Sequence, residues 1–129
     1  MKDYNNCFAC GCENPIGLKL SFSYKDKTAF AEFSLSRNFE GYPGVIHGGI
    51  VSALLDEAMA KSFLQTGIEA VTTNLKIKFK LPVKAEEIHT LKGETIKETR
   101  RTFECHAEIV NSENQVCAFA DAVFFKIKK

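Results

Sequence analysis

The residues best placed to do chemistry lie in one stretch. Gly44-Val45-Ile46-His47-Gly48-Gly49-Ile50 leads into Leu54-Leu55-Asp56-Glu57. The paired glycines open a segment that reads as one long apolar helix. A helix start leaves backbone N–H groups without partners, and the helix dipole makes that end electropositive. Glycine lets a ligand oxygen come close to those groups. A carboxylate inside an apolar helix is costly unless it is partnered or used. An oxyanion-binding helix start followed by such a carboxylate points to acyl chemistry.

These residues need elements to hold them. Leu18 to Tyr24 alternates apolar with polar residues, as does Ala29 to Leu35, with Lys25-Asp26-Lys27 as the turn between. Both read as strands. Asn38 to Gly44 reads as a loop, given Gly41, Pro43 and Gly44. The helix is expected over Gly49 to Gln65, apolar on nearly every side and so buried, with Gly67 as its stop. Asn74 to Leu81 alternates strictly: Leu75, Ile77, Phe79 and Leu81 against Lys76, Lys78 and Lys80. Ile88 to Lys97, Thr102 to Val110 and Val116 to Ile127 complete the strands. Two strands, a helix and four more strands imply an α+β fold in which an antiparallel sheet curls round one long central helix.

Composition bounds the reading further. A chain of 129 residues, 45% hydrophobic, suits one domain over residues 1–129 with a single core. A net charge of +1 offers no bulk electrostatic footprint for nucleic acid. No apolar run is long enough to span a bilayer, so no membrane partner is expected. The opening Met1-Lys2-Asp3-Tyr4-Asn5-Asn6 lacks the apolar core of an export signal. The five cysteines are an odd number, which fits free thiols in a cytoplasmic location. Cys7, Cys10 and Cys12 crowd into a leader at residues 1–17. A structural zinc site needs four ligands and a second pair at suitable spacing. Cys105, His106 and Cys117 do not supply that spacing, so the expectation is a thiol-rich leader folded against the sheet, with no metal.

On these residues the chain resembles the hotdog-fold thioesterases of the PaaI-like type. The matching segments are Gly44 to Gly49, Leu54-Leu55-Asp56-Glu57-Ala58 and Leu75 to Pro82. The opening Cys7-Phe8-Ala9-Cys10-Gly11 with Asn14-Pro15-Ile16-Gly17-Leu18 resembles the leader of one branch of that family. The resemblance implies a hotdog fold, subunit pairs with two active sites at their interface, and hydrolysis of an acyl-coenzyme A thioester. It places the carbonyl on the Gly48 N–H, with Gly49 in support, and makes Asp56 the base or nucleophile. By the same resemblance Thr72 falls where a hydroxyl can orient the attacking water. Two departures stand out: Gly41 occupies the place of an asparagine found in some relatives, and no glycine follows Pro82 closely.

Residue chemistry supports these roles. Thiolate is a good leaving group, so one carboxylate and one or two N–H donors suffice, and no cofactor is called for beyond the coenzyme A of the substrate. There is no Gly-x-Ser-x-Gly elbow for a serine nucleophile. Eight residues of helix span about 12 Å, so Gly48 and Asp56 of one chain cannot serve one carbonyl. The simplest solution pairs Gly48 of one subunit with Asp56 of another, in a homodimer or homotetramer. Asp56 and Glu57 point about 100° apart, so only one faces a given site. Glu57 has Lys61 at i+4 and suits an ion pair; Asp56 is left for catalysis. His47 reads as ordering the turn into the helix. The expected activity is hydrolysis of a small to medium acyl-coenzyme A to free acid and coenzyme A. A non-catalytic acyl-coenzyme A binding module is the alternative. A hydratase is disfavoured, because its Asp-His pair has no counterpart on this helix. Lys76, Lys78, Lys80, Arg100, Arg101, Lys126, Lys128 and Lys129 could meet phosphate, and none stands out as the binder.

Overall fold

Gly93 sets how closely the two layers of the molecule approach. A Cβ there would collide with the carbonyl of Ala58 and crowd the Met59 nitrogen, at 2.8 Å. Glycine therefore lets the helix backbone lie directly on a strand. The computed structural model describes residues 4–127; Lys128, Lys129 and the first three residues lie outside them. The elements are β1 (Ser23–Lys25), β2 (Thr28–Phe33), a short 3-10 turn (Arg37–Phe39), α1 (Gly48–Leu64), β3 (Ala70–Phe79), β4 (His89–Glu98), β5 (Thr102–Val110) and β6 (Val116–Lys126). All pairings are antiparallel, in the order β1-β2-β4-β5-β6-β3. The chain leaves β2, runs through α1 and returns at the opposite edge as β3. The expected hotdog arrangement, one sheet curled about one long helix, is the fold observed.

The helix buries a stripe at i, i+3, i+4 spacing: Val51, Leu54, Leu55, Ala58, Met59, Ser62 and Phe63. Phe63 stacks on Phe103 of β5, with ring centroids 4.1 Å apart, and meets Phe124 of β6 edge-on at 5.0 Å. Each such ring removes enough apolar surface from water to contribute about 2 kcal/mol. The helix is not buried on every side as its composition suggested. Ile50, Ala53, Asp56, Glu57, Ala60 and Leu64 are only half-buried, because one sheet covers one stripe.

Two strand boundaries move. Of Leu18 to Tyr24, only the end pairs with β2, through the two-residue turn in which Asp26 has φ 55°. Leu18 and Leu20 do bury their side chains, but their N–H groups go to Phe8 O (2.7 Å) and Ala9 O (2.9 Å) of the leader, and Lys19 takes φ 56° between them. The alternation was real, and the backbone partner was the leader instead of the sheet. β3 starts at Ala70 and ends at Phe79, where Lys80 N–H and Leu81 N–H both turn to Cys117 O.

β3 carries an irregularity that re-aims its first residues. Thr72 pairs with Phe124 and Asn74 with Val123, leaving Thr73 as an extra residue. Phe124 and Ala122, the partners of Thr72 and Leu75, are both buried under the helix. Residues opposite each other share a face, so Thr72 and Leu75 face α1 together although their numbers differ by an odd step. A β-bulge does this by shifting the pleat by one residue. Thr73 donates its hydroxyl to Val123 O at 3.1 Å.

Candidate active site

The loop before α1 is held by its own backbone. Gly41 N–H bonds Val45 O, Val45 N–H bonds Tyr42 O, Ile46 N–H bonds Val83 O and His47 N–H bonds Phe39 O, all at 2.8–2.9 Å. Glu40 accepts the Gly44 N–H at 2.5 Å. Gly44 has φ 82°, a left-handed conformation that favours glycine. These bonds fix where the helix begins.

The first turn divides its N–H groups unequally. His47 Nδ1 accepts from Gly49 N–H at 2.9 Å, so the ring caps the helix. The neutral ring must then carry its proton on Nε2. Ile50 and Val51 both donate to His47 O. Among the described residues Gly48 N–H has no acceptor. Gly48 is exposed and lines a cavity of about 630 Å³ together with Tyr42, His47, Phe79, Lys80 and Leu81. Gly49 was expected to support the carbonyl; in this chain its N–H serves the His47 cap. A Cβ on Gly48 would touch only the Phe79 ring, at 3.8 Å. That is ordinary contact, so packing within the chain does not require a glycine there.

Asp56 lies two turns further on. Its Oδ1 accepts the Thr72 hydroxyl at 2.8 Å, across the bulge-turned face of β3. Burial pushes the Asp56 carboxyl above its ordinary value; the Thr72 bond pulls it down in part, and the nearby Glu57 charge adds to the rise. Glu57 points elsewhere and pairs with Lys61 at 3.3 Å, as the i, i+4 spacing anticipated. The structure thus makes two groups from the five expected site residues. His47, Gly48 and Gly49 sit at the helix start, and Asp56 and Thr72 sit in mid-helix. The cavity at the helix start does not include Asp56.

Part of the exposed apolar surface lies along β3. This edge strand pairs only with β6. Val71, Leu75, Phe79 and Leu81 are 51%, 38%, 56% and 40% exposed. An exposed apolar edge strand is normally covered or blunted. Sequence reasoning anticipated the strand but not that it is a sheet edge with these apolar residues exposed. It also missed the direct Thr72–Asp56 bond, whose only sequence signal is the bulge-forming Thr72-Thr73-Asn74 run.

Comparison with known proteins gives the family and the fold. The model of the thioesterase superfamily matches residues 43–118. Acyl-coenzyme A thioesterase THEM5 of Mus musculus is 29% identical over 109 residues, covering 83% of this chain and 44% of that protein. The chain thus spans less than half of that relative. The crystal structure of another thioesterase superfamily protein superposes with a TM-score of 0.88 at 23% identity, covering 94% of this chain and 60% of the other. The PaaI protein of Escherichia coli, from the phenylacetic acid degradation operon, gives 0.80 at 21% identity, covering 86% and 81%. At these identities the structures show the shared fold.

Proposed function

The chain belongs to the thioesterase superfamily, and from that premise we propose that it hydrolyses a small to medium acyl-coenzyme A at a site shared by two copies of itself. One observation carries the reading: a Gly48 N–H at the helix start that has no acceptor among the described residues, and a partnered Asp56 eight residues later, about 12 Å along one axis. Neither group completes a site alone. Two antiparallel copies meeting along the exposed β3 edge bring Gly48 of one to Asp56 of the other, and they cover Leu75 and Phe79. The similarity to an acyl-coenzyme A thioesterase supports the substrate class.

The chemistry then follows from charge. The thioester carbonyl oxygen accepts from Gly48 N–H, which strengthens as negative charge develops on that oxygen. Thr72 holds Oδ1 of Asp56 and leaves Oδ2 for a water. Asp56 takes a proton from that water as its oxygen bonds to the carbonyl carbon. The C–S bond breaks, the coenzyme A thiolate leaves, and the proton on Asp56 returns to the sulfur. His47 is a positioning residue, capping the helix so that Gly48 N–H stays free. Lys80, on the cavity wall, is available to a phosphate of coenzyme A.

The test is hydrolysis of an aliphatic and aromatic acyl-coenzyme A panel by wild type and by Asp56→Ala, read by loss of thioester absorbance. Five cysteines would confuse a thiol-trapping dye. Turnover by wild type that collapses in a folded Asp56→Ala is the expected result. Binding of the panel without any turnover would overturn the hydrolase reading and favour a binding module.

A further inference from the structure

Away from the proposed active site, the leader and the helix bring a second set of reactive groups together. Cys7 Sγ, Cys10 Sγ and a Glu57 carboxylate oxygen all lie within 4.8 Å of one another, each half-buried. The turn that presents the two thiols is held by its own hydrogen bonds. Cys10 N–H donates to Cys7 Sγ at 3.5 Å, Cys7 N–H bonds Tyr4 O, and Gly11 N–H bonds Cys7 O at 2.8 Å. A Cβ on Gly11 would collide with the Asn5 carbonyl, so glycine after the second cysteine is a requirement of the turn. A cavity of about 330 Å³ adjoins the cluster.

A cation already contacts two of these three groups. Lys61 Nζ is 3.2 Å from Cys10 Sγ and 3.3 Å from Glu57, and it lies 5.5 Å from the Tyr4 ring centroid. The sequence offered no second Cys/His pair, and the fold supplies a carboxylate in its stead.

We propose that Cys7, Cys10 and Glu57 form a binding site for a thiolate-preferring divalent cation of the zinc class, the fourth position opening on the adjoining cavity. Zinc bonds of about 2.3 Å to sulfur and about 2.0–2.2 Å to oxygen put tetrahedral ligands roughly 3.5–3.8 Å apart, a spacing inside the 4.8 Å that bounds these three atoms. Lys61 is a long, flexible side chain and swings out toward the cavity when the metal enters. The bound ion staples the leader to α1 one residue from Asp56.

The test uses the reduced full chain and cobalt(II) as a spectroscopic stand-in, with zinc as competitor. The expected result is one cobalt per chain, with visible bands of a tetrahedral site and a thiolate-to-metal charge-transfer band, all lost on adding zinc. Cys10→Ser and Cys7→Ser each weaken the charge-transfer band, because one thiolate ligand remains, and the double variant loses it. Glu57→Gln, which keeps the side-chain shape, weakens binding by about tenfold or more, as loss of one of three protein ligands should. Lys61→Met tightens binding. No tetrahedral spectrum in either wild type or Lys61→Met overturns the proposal, as does a spectrum unchanged in Cys7→Ser and Cys10→Ser. Thermal melts of each variant establish that it is folded. None of these readouts involves turnover, so failure here leaves the hydrolase reading intact.

Discussion

Replacing Asp56 by Asn should leave the molecule folded and nearly stop its turnover. The amide Oδ1 still accepts the Thr72 hydroxyl, now 2.8 Å from the carboxylate, so the helix and β3 keep their contact. What is lost is the ability to take a proton from water. General-base catalysis contributes about 10²–10⁴-fold, or roughly 3–5 kcal/mol of barrier, and kcat should fall by that factor. Stability should move the other way. Burial holds the Asp56 carboxyl above its ordinary value in the folded chain, so the folded state keeps its proton to higher pH than the unfolded state. Wild type therefore loses stability as pH rises through the ordinary value and on through the raised one. The Asn variant has no such loss. Its melting temperature should match or exceed that of wild type near neutral pH, and the gap should close in acid. Thioester absorbance and thermal melts across pH measure both. Turnover within tenfold of wild type, or a variant clearly less stable than wild type at neutral pH, would refute the reasoning.

Other substitutions probe the neighbouring links. Thr72→Val removes the bond that favours the ionised carboxylate, so the acid limb of the pH–rate profile should shift to higher pH. The Cβ of Gly48→Val meets only the Phe79 ring within the chain, and its side chain stands in the cavity where a thioester oxygen must approach the backbone N–H; it should fold and lose turnover by about 10²-fold, the typical effect of forfeiting one oxyanion donor. Gly49→Ala places a Cβ 3.2 Å from His47 Nδ1, so it should disturb the cap and cost about 1 kcal/mol in a melt. Gly93→Ala should destabilise by about 3 kcal/mol or fail to fold, because helix backbone stands where its Cβ must go. Leu75→Lys charges the exposed β3 face; size-exclusion chromatography should show monomer, with turnover lost alongside.

Most of the fold was legible because its signals are local. The helix from Gly48 and the strand Thr102–Val110 came through in length and place. What stayed hidden depends on distant partners. The alternation of Leu18 to Tyr24 is that of a strand, yet Phe8 and Ala9 take up the backbone of Leu18 and Leu20. The first half of β3 was invisible because the extra residue at Thr73 breaks the period of two, and that same break turns Thr72 toward Asp56. The half-covered helix and the exposed apolar edge could not be read from spacing, since composition records that a residue is apolar and not whether anything covers it. The meeting of Cys7 and Cys10 with Glu57 is likewise a product of folding.

The shared site is the centre of the account, and mixing two defective variants tests it most directly. Asp56→Asn and Gly48→Val are purified separately, shown to be inactive, and combined under conditions that allow subunit exchange. In a two-fold pair with sites shared between subunits, a mixed dimer holds one site with both defects and one site with neither. Random exchange makes half the dimers mixed, so activity should return to about a quarter of wild type. If Gly48 and Asp56 of one chain serve the same thioester, no combination of these subunits contains an intact site, and the mixture would remain inactive.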